Sequence, residues 1–391
     1  MATIDSMIVD LNGPLFVFAG GGSGGHIAPA IVTAKMLRRQ FPESRHQFLC
    51  STREIDRRML RDAFGDERCF TVDFAFDYTM RSGLRGSIHT ALQLLVDTVR
   101  AVRILRDLRP AAVISIGARP AIAPGLAARI LRIPLILLES NVIPGATTRL
   151  LSRFARLAVT GLPIHQMHGR AIRCPQLSAG IPLCCSELSP SRQQSSTMEY
   201  PQRRQLLILG GSQGATELNH SVPAAIRNAG LLDKGWSVLH QHGQGKEVES
   251  MAAWDTDVSR VTLTPFLQSP VAELARSAIV ICRSGAVTLA EISLAGIPAL
   301  LLPLQNSSHS HQWQNALWAR DSGFAEIVDS SAESTAEFSR QLQDLCSDEQ
   351  RRLRMCAAAT AVARPNAALN AANAIASAMN YDVGRSGTAG T

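Results

Sequence analysis

"PLFVFAGGGSGGHIAPAIVTAKMLRRQ", residues 14–40, is the stretch that settles the fold. Residues 14–20 form a short apolar run and read as a strand buried on both faces. Residues 29–40 read as an amphipathic helix. Between them five glycines fall within residues 20–25, with Ser23 among them and His26 directly after. Glycine lets the backbone turn sharply and lets a ligand approach bare N–H groups. The helix that follows points its positive end at the same spot, so the unit is a seat for an anion.

Neither standard nucleotide fingerprint fits this turn. Gly20-x-Gly22-x-x-Gly25 meets the dinucleotide pattern in form, but the acid expected after the second strand is out of place, since Glu54 comes too late. No Gly-Lys-Ser/Thr follows any glycine turn, which excludes a P-loop.

Outward from this unit the pattern repeats. "HQFLCS" (46–51), "AAVISIG" (111–117), "PLILLES" (134–140) and "LAVTG" (157–161) read as strands, with "ALQLLVDTVRAVRILRDLRP" (91–110) as a long helix ending near Pro110. Residues 186–204 are rich in Ser, Gln, Pro and Arg and read as a linker. The alternation then restarts with strands at 205–211, 237–243, 261–266, 278–285 and 298–304, and helices at 215–229, 270–276, 286–295 and 311–322. The expected fold class is α/β, with two doubly wound parallel-sheet domains facing a cleft. The expected layout is a domain over 1–185, the linker over 186–204, a domain over 205–350, and an Ala-rich helical tail over 351–391 that packs back on the first domain.

Composition narrows the class. Of 391 residues, 46% are apolar and 18% charged, which is globular and not disordered. The net charge of +7 is carried almost wholly by arginine, because Lys35, Lys234 and Lys246 are the only lysines. Residues 81–180 hold 14 arginines against Asp97, Asp107 and Glu139, and such a basic half predicts an anionic partner such as a lipid surface or a phosphate. No aromatic-interleaved basic motif or groove-reading module is seen, so no nucleic-acid partner is expected. The eight cysteines form no CxxC pair and read as reduced thiols. No secretory signal is expected from residues 1–14, and the longest apolar runs, such as "IPLILL" (133–138), are too short to span a bilayer. "DTD" (255–257) lies in a polar stretch, and no metal or cofactor is expected.

Two further glycine turns follow strands, in "LGGSQGATELN" (209–219) and "CRSGAVTLAE" (282–291). Glu291 lies about two turns into the helix after the third turn, where a carboxylate can accept from both hydroxyls of a ribose. "HSHQWQNA" (309–316) puts His311, Gln312 and Asn315 on one helical face and reads as a ligand loop.

Together these residues resemble the MurG family of bacterial peptidoglycan glycosyltransferases, in glycosyltransferase family 28. The resemblance runs from about residue 15 to about residue 330. It rests on "GGSGGHIAPA" (21–30), "SGLRG" (82–86), "ESNVIPGATTRLLSRFA" (139–155), "GGSQGATELN" (210–219) and "CRSGAVTLAEISLAGIPALLLP" (282–303). It implies the GT-B fold and transfer of N-acetylglucosamine from UDP-GlcNAc to the lipid-linked muramyl pentapeptide, lipid I, to give lipid II with inversion. The acceptor would bind the N-terminal domain and the UDP-sugar mainly the C-terminal one. The enzyme would sit peripherally at the cytoplasmic face of the inner membrane, on an anionic surface, with residues 74–84 dipping into the interface.

Residue by residue, the resemblance implies Ser23, Gly24 and Gly25 at the donor–acceptor junction and Asn141 near the sugar or diphosphate. It implies Ser212 at the diphosphate, and the backbone of Leu267 at the uracil. Ala286, Val287, Thr288, Leu289, Ala290 and Glu291 would hold the nucleotide, and Gln312 would reach the donor sugar. His26, as base, and Glu291, at the ribose, are the candidate catalytic residues. Three positions depart from the family pattern. Cys184 stands in place of an arginine, whose contact Arg173 is a candidate to supply; Leu138 replaces a histidine, and Arg119 replaces a tyrosine. The alternatives are another GT-B UDP-sugar transferase, a UDP-GlcNAc 2-epimerase, or a UDP-GlcNAc-binding protein without turnover. "SGLRG" and "ESNVIPG" favour the lipid I enzyme over the first two.

Overall fold

The computed structural model describes residues 13–65, 70–74, 84–164, 171–183, 200, 202–211, 214–254, 259–267, 269–304, 311–328 and 335–380. Most of the expected linker (186–199 and 201), the "DTD" triplet and residues 75–83 lie outside these. Two compact units emerge, Met1–Leu183 with Asn366–Thr391, and Cys184–Pro365.

The first unit is built on a seven-stranded sheet in the order β3-β2-β1-β4-β5-β6-β7. The strands are β1 (Leu15–Ala19), β2 (Arg45–Cys50), β3 (Phe70–Phe74), β4 (Ala112–Ser115), β5 (Leu135–Glu139), β6 (Leu157–Thr160) and β7 (Gln176–Ser178), every neighbouring pair parallel. β1 is buried along its whole length, as expected of a central strand covered by helices on both faces. On one face lie α1 (Gly24–Gln40) and α2 (Glu54–Phe64). On the other lie α3 (Leu84–Leu108), α4 (Ile122–Leu131) and the short α5 (Ala146–Leu151). The sheet was legible at its centre and not at its rims: β3 and β7 were not foreseen, because an edge strand lacks the unbroken apolar run. β7 is exposed at all three residues.

The second unit has a six-stranded parallel sheet in the order β10-β9-β8-β11-β12-β13. Its strands are β8 (Gln205–Leu209), β9 (Ser237–Gln241), β10 (Val261–Thr264), β11 (Ile279–Cys282), β12 (Ala299–Leu301) and β13 (Ala325–Ile327). The helices are α6 (Thr216–Asn228), α7 (Glu247–Trp254), α8 (Pro270–Arg276), α9 (Ala286–Ala295), α10 (His311–Asp321), α11 (Thr335–Ser347) and α12 (Glu349–Val362).

The tail divides at Pro365. α12 stays with the second unit, where Met355 joins the core around Trp236 and Trp254. α13 (Ala367–Asn380) returns to the first unit, and its Ala371, Ala372 and Ile375 pack with Ile27, Ala34 and Leu37 of α1. Only the stretch beyond Pro365 carries the apolar stripe that the first core accepts, so only this part of the 351–391 tail joins it.

In each sheet the strand order reverses at one place, beside β1 and β4 in the first unit and beside β8 and β11 in the second. The turns that leave these strands splay apart there and leave a crevice at the carboxyl ends. All three glycine turns are among them.

Each unit also buries a histidine whose pKa is lowered. The His46 ring stacks between Phe16 and Phe70, with centroids at 5.4 and 4.9 Å. Burial lowers its pKa from 6.5 to about 4, with Arg38 adding a smaller push. His240 is lowered to about 4 by burial and then by His242. The unfolded chain protonates both near 6.5, whereas the folded chain refuses the proton until about 4. Stability is therefore full above pH 6.5 and is lost as pH falls from 6.5 towards 4, by on the order of 3 kcal/mol per histidine. Urea unfolding at pH 7 and pH 4.5 checks this through a fall in midpoint for both units.

Candidate active site

The first glycine turn is held by residues that precede and open α2. Gly20, Gly21 and Gly22 all take positive φ. A Cβ on Gly21 would lie 2.3 Å from Oδ2 of Asp56, so only glycine fits there. Asp56 is fully buried. Its two carboxylate oxygens accept the Gly22 N–H at 2.9 and 2.7 Å, and the Ser51 hydroxyl donates to Oδ2 at 2.5 Å. Arg53 Nη1 donates to the Gly22 carbonyl at 3.0 Å. The turn is thus clamped on both its amide and its carbonyl.

Ser23 is the N-cap of α1 with extended backbone, but its hydroxyl makes no capping bond. It lies 2.7 Å from Nδ1 of His26 instead. When Nδ1–H donates to Ser23, Nε2 carries the lone pair that a base needs. The Cδ2–Nε2 edge of His26 lies against Gly117, where a Cβ would stand 3.1 Å from Cδ2. The turn after β4 therefore sets the position of the ring. The next residue, Ala118, has φ 59 and ψ 172, a basin that glycine enters far more readily than alanine. Ala118→Gly is expected to stabilise the first unit by about 1 kcal/mol, which calorimetry would read as a rise of roughly 2–4 °C in its unfolding midpoint. Arg119 follows, exposed, at the start of a 3-10 turn.

Asn141 leaves β5 in a loop organised around Glu139, which is 6% exposed. Glu139 Oε1 accepts from the backbone N–H and the side-chain Nδ2 of Asn141, both at 3.1 Å. Oε2 accepts from Gly145 N–H at 3.0 Å and from the Thr148 hydroxyl at 2.7 Å. Leu138, on the opposite face of β5, packs against the first core. Arg173 is exposed, and its backbone N–H is held by Ser152 Oγ at 3.1 Å. Ser212 and Cys184 lie outside the described residues.

In the second unit, Asn219 of α6 binds across the strand ends. Its Nδ2 donates to the His242 carbonyl at 3.0 Å, and its Oδ1 lies 3.0 Å from Nε2 of buried His240. The third turn, Arg283–Gly285, opens α9. Buried Ser284 donates to the Gln312 carbonyl at 2.7 Å, and Asn315 Nδ2 donates to the Ser284 carbonyl at 3.2 Å. Asn315 is only 1% exposed, so it braces the turn from behind and does not share a ligand-facing surface with His311. The Oε1 of Gln312 accepts from Leu304 N–H at 3.2 Å, joining α10 to the chain beyond β12. Along α9, Ala286 and Leu289 are buried, while Val287, Thr288, Ala290 and Glu291 are partly open. Leu289 therefore presents its side chain to the interior. Leu267 is nearly buried in the segment after β10.

Asp56, Glu139, Asn219 and Ser284 were not read as site residues from the sequence. Glu139 stood inside a quoted motif, and Asp56 follows a strand end closely; those were the available signals.

The two units correspond to two family models. Residues 16–160 match the glycosyltransferase family 28 N-terminal domain, and residues 205–374 match the glycosyltransferase family 28 C-terminal domain. The chain belongs to glycosyltransferase family 28. Within the family it is 34% identical over 377 residues to a relative from Xanthomonas campestris pv. campestris (strain B100), covering 93% of this chain and 81% of the relative. That relative is named UDP-N-acetylglucosamine--N-acetylmuramyl-(pentapeptide) pyrophosphoryl-undecaprenol N-acetylglucosamine transferase. The crystal structure of Acinetobacter baumannii MurG, 26% identical, superposes with a TM-score of 0.74 over 93% of this chain and 99% of that one. A UDP-GlcNAc 2-epimerase from Neisseria meningitidis bound to UDP-GlcNAc has a TM-score of 0.61 at 14% identity, covering 94% of this chain and 99% of that one. That likeness shows the shared fold alone. As a family 28 member the chain has two parallel-sheet halves of the GT-B kind.

Proposed function

We propose that this chain transfers N-acetylglucosamine from UDP-GlcNAc to the C4 hydroxyl of the muramyl sugar of lipid I, giving lipid II with inversion. The observation that carries the reading is the match over 93% of the chain to a relative named for that transfer. The first unit takes the lipid-linked acceptor and the second the UDP-sugar. The C4 oxygen attacks C1 of the donor sugar, His26 Nε2 takes the hydroxyl proton, and the bond from C1 to the diphosphate breaks, its electron pair leaving with UDP. Ser23 orients His26 through Nδ1, and the amides of Gly24 and Gly25 face the reacting region from the start of α1. Asn141, held by Glu139, contacts the donor sugar or diphosphate, and Gln312 reaches the donor sugar. Glu291 accepts from the ribose hydroxyls, with Ala286–Ala290 lining the nucleotide and the Leu267 backbone at the uracil. Helix N-termini and turn amides stabilise charge that develops on the leaving diphosphate, with Ser212 placed in that role.

The acceptor is a membrane lipid, so the chain works at the cytoplasmic face of the inner membrane. Among the described residues no helix is long and apolar enough to cross a bilayer. α3 does present an apolar stripe to solvent: Leu92, Leu95, Val96 and Val99 are between 47% and 66% exposed. Their spacing puts them on one helical face, and Arg100, Arg103 and Arg106 are exposed further along the same helix. Such a face binds the interface of an anionic bilayer. Leu95→Glu combined with Val96→Glu is expected to weaken binding to phosphatidylglycerol vesicles at least about tenfold, with UDP binding unchanged; vesicle sedimentation reads the first and calorimetry the second. The activity itself is tested by following UDP release from UDP-GlcNAc with and without a short-chain lipid I analogue. Acceptor-dependent release is expected, and binding of UDP-GlcNAc without any turnover would leave only the binding-protein reading.

A further inference from the structure

Asp56 is a buried carboxylate that the transfer step does not use, and its bonds are unusual for its place in the chain. It stands in the first turn of α2. An acid there ordinarily reaches back to the amide of its own helix cap. Here the cap is Arg53, and its N–H goes to Ser51 Oγ at 3.4 Å. Asp56 turns instead to Gly22, 34 positions away, and both of its oxygens accept from that one amide, at 2.9 and 2.7 Å. Arg53 Nη1 takes up the carbonyl of the same residue at 3.0 Å. The peptide group is planar and trans. With the Gly22 N–H turned to Asp56, the Gly21 carbonyl faces the opposite way. With the Gly22 carbonyl turned to Arg53, the Ser23 N–H faces away from the guanidinium. The chain itself does not impose the first of these orientations. Gly21 and Gly22 lie at φ 134 and 87, and rotation of the peptide between them meets no Cβ on either side. Two side chains from the start of α2 select one orientation.

We infer that Asp56, with Arg53, is a positioning residue for His26, acting through the peptide groups of Gly22. The next residue is Ser23, whose hydroxyl lies 2.7 Å from Nδ1 of His26. The orientation of the turn therefore decides where Ser23 stands, and Ser23 decides which way the ring points. Asp56 is fully buried, so it works through the turn and touches no substrate. The inference rests on the reading of His26 as the base of the proposed transfer.

The experiment compares the full chain with its Asp56→Asn, Arg53→Ala and Leu60→Ala variants. Acceptor-dependent UDP release gives kcat and the KM for UDP-GlcNAc, and thermal unfolding gives the stability of each. Asp56→Asn keeps the shape of the side chain but puts an NH₂ in place of one oxygen. Both oxygens lie within 2.9 Å of the Gly22 nitrogen, so either orientation of the amide sets donor against donor. Leu60 is a core residue of the same helix, and its truncation destabilises the first unit through a cavity while leaving the bonds to Gly22 in place. Asp56→Asn is expected to lower kcat about 10- to 30-fold, and Arg53→Ala about three- to tenfold, each with KM for UDP-GlcNAc within about twofold. Leu60→Ala is expected to lower the unfolding midpoint at least as far as Asp56→Asn while its kcat stays within about twofold. An Asp56→Asn variant with unaltered kcat overturns the inference and leaves the proposed function standing. An equal loss of kcat in Leu60→Ala also overturns it, because kcat would then follow stability alone. If Asp56→Asn does not fold, Arg53→Ala decides, since Arg53 is exposed: the stated fall in kcat upholds the inference, and an unaltered kcat overturns it. Absence of acceptor-dependent turnover in the unaltered chain removes the proposed function, and the inference with it.

Discussion

His26→Ala is expected to lower kcat by roughly 10²–10⁴-fold, the usual worth of a positioned general base, while UDP affinity stays within about twofold. The two readouts separate because His26 belongs to the first unit and the nucleotide is assigned to the second. The ring is fixed from two sides, by Ser23 Oγ at 2.7 Å from Nδ1 and by the backbone of Gly117 against its Cδ2–Nε2 edge. That grip fixes the orientation of the ring, and proton transfer demands such geometry before it demands any particular pKa. Ser23→Ala, which removes only the orienting partner, is expected to cost much less in the same assay, about tenfold, with a similar sparing of UDP binding. A His26→Ala variant that keeps most of its kcat would remove the base assignment and leave His26 as a brace for the glycine turn.

Glu139→Ala should be the most damaging single change away from the reacting atoms. One buried carboxylate satisfies four donors there: the Asn141 amide, its side chain, the Gly145 amide and the Thr148 hydroxyl. Hydrogen bonds to a charged acceptor are worth about 1.5–3 kcal/mol each, and buried donors left unmade are costly. The bonds are not additive, so a loss of about 3–5 kcal/mol in the stability of the first unit is the expected result. Activity should fall further than unfolding explains, since Asn141 loses its anchor, and misplacing such a group by about 1 Å can cost on the order of 10²-fold. Glu139→Gln sharpens the test. It keeps one acceptor for Asn141 but turns an NH₂ towards the Gly145 N–H, donor against donor, while the Thr148 hydroxyl can rotate to accept. Its expected cost is about half that of Glu139→Ala. Chemical denaturation and steady-state kinetics on the two variants provide the comparison.

These predictions lean on residues that the sequence marks unequally. Strands such as β1 and β8 are apolar on both faces and sit mid-sheet, so they are plain to read. β3, β7 and β13 lie at sheet edges, carry mixed or very short runs, and are not. The glycine turns are legible because a positive φ and a close approach such as that of Gly21 to Asp56 demand a residue without Cβ, and that demand is written at the turn itself. The partners that fix the turns are not. Asp56 lies 34 positions from the Gly22 amide that it accepts, and nothing local tells a buried anchor from a surface acid. Asn315 shows the complementary failure. Helical spacing groups it with His311 and Gln312, but spacing cannot say which way a face points, and here Asn315 turns inward to the Ser284 carbonyl. The division of the tail at Pro365 is a similar case, because α12 and α13 are both Ala-rich and differ in which core accepts them.

The most direct test of the central claim is the structure of the product. Full-length chain, UDP-GlcNAc and a lipid I analogue with a single free C4 hydroxyl on its muramyl sugar should give one disaccharide lipid. NMR of that product is predicted to show a β-1,4 linkage between N-acetylglucosamine and the muramyl sugar, formed with inversion and in equal amount to the UDP released. An α linkage, a linkage to another hydroxyl, or UDP release into free N-acetylglucosamine without any disaccharide would contradict the account.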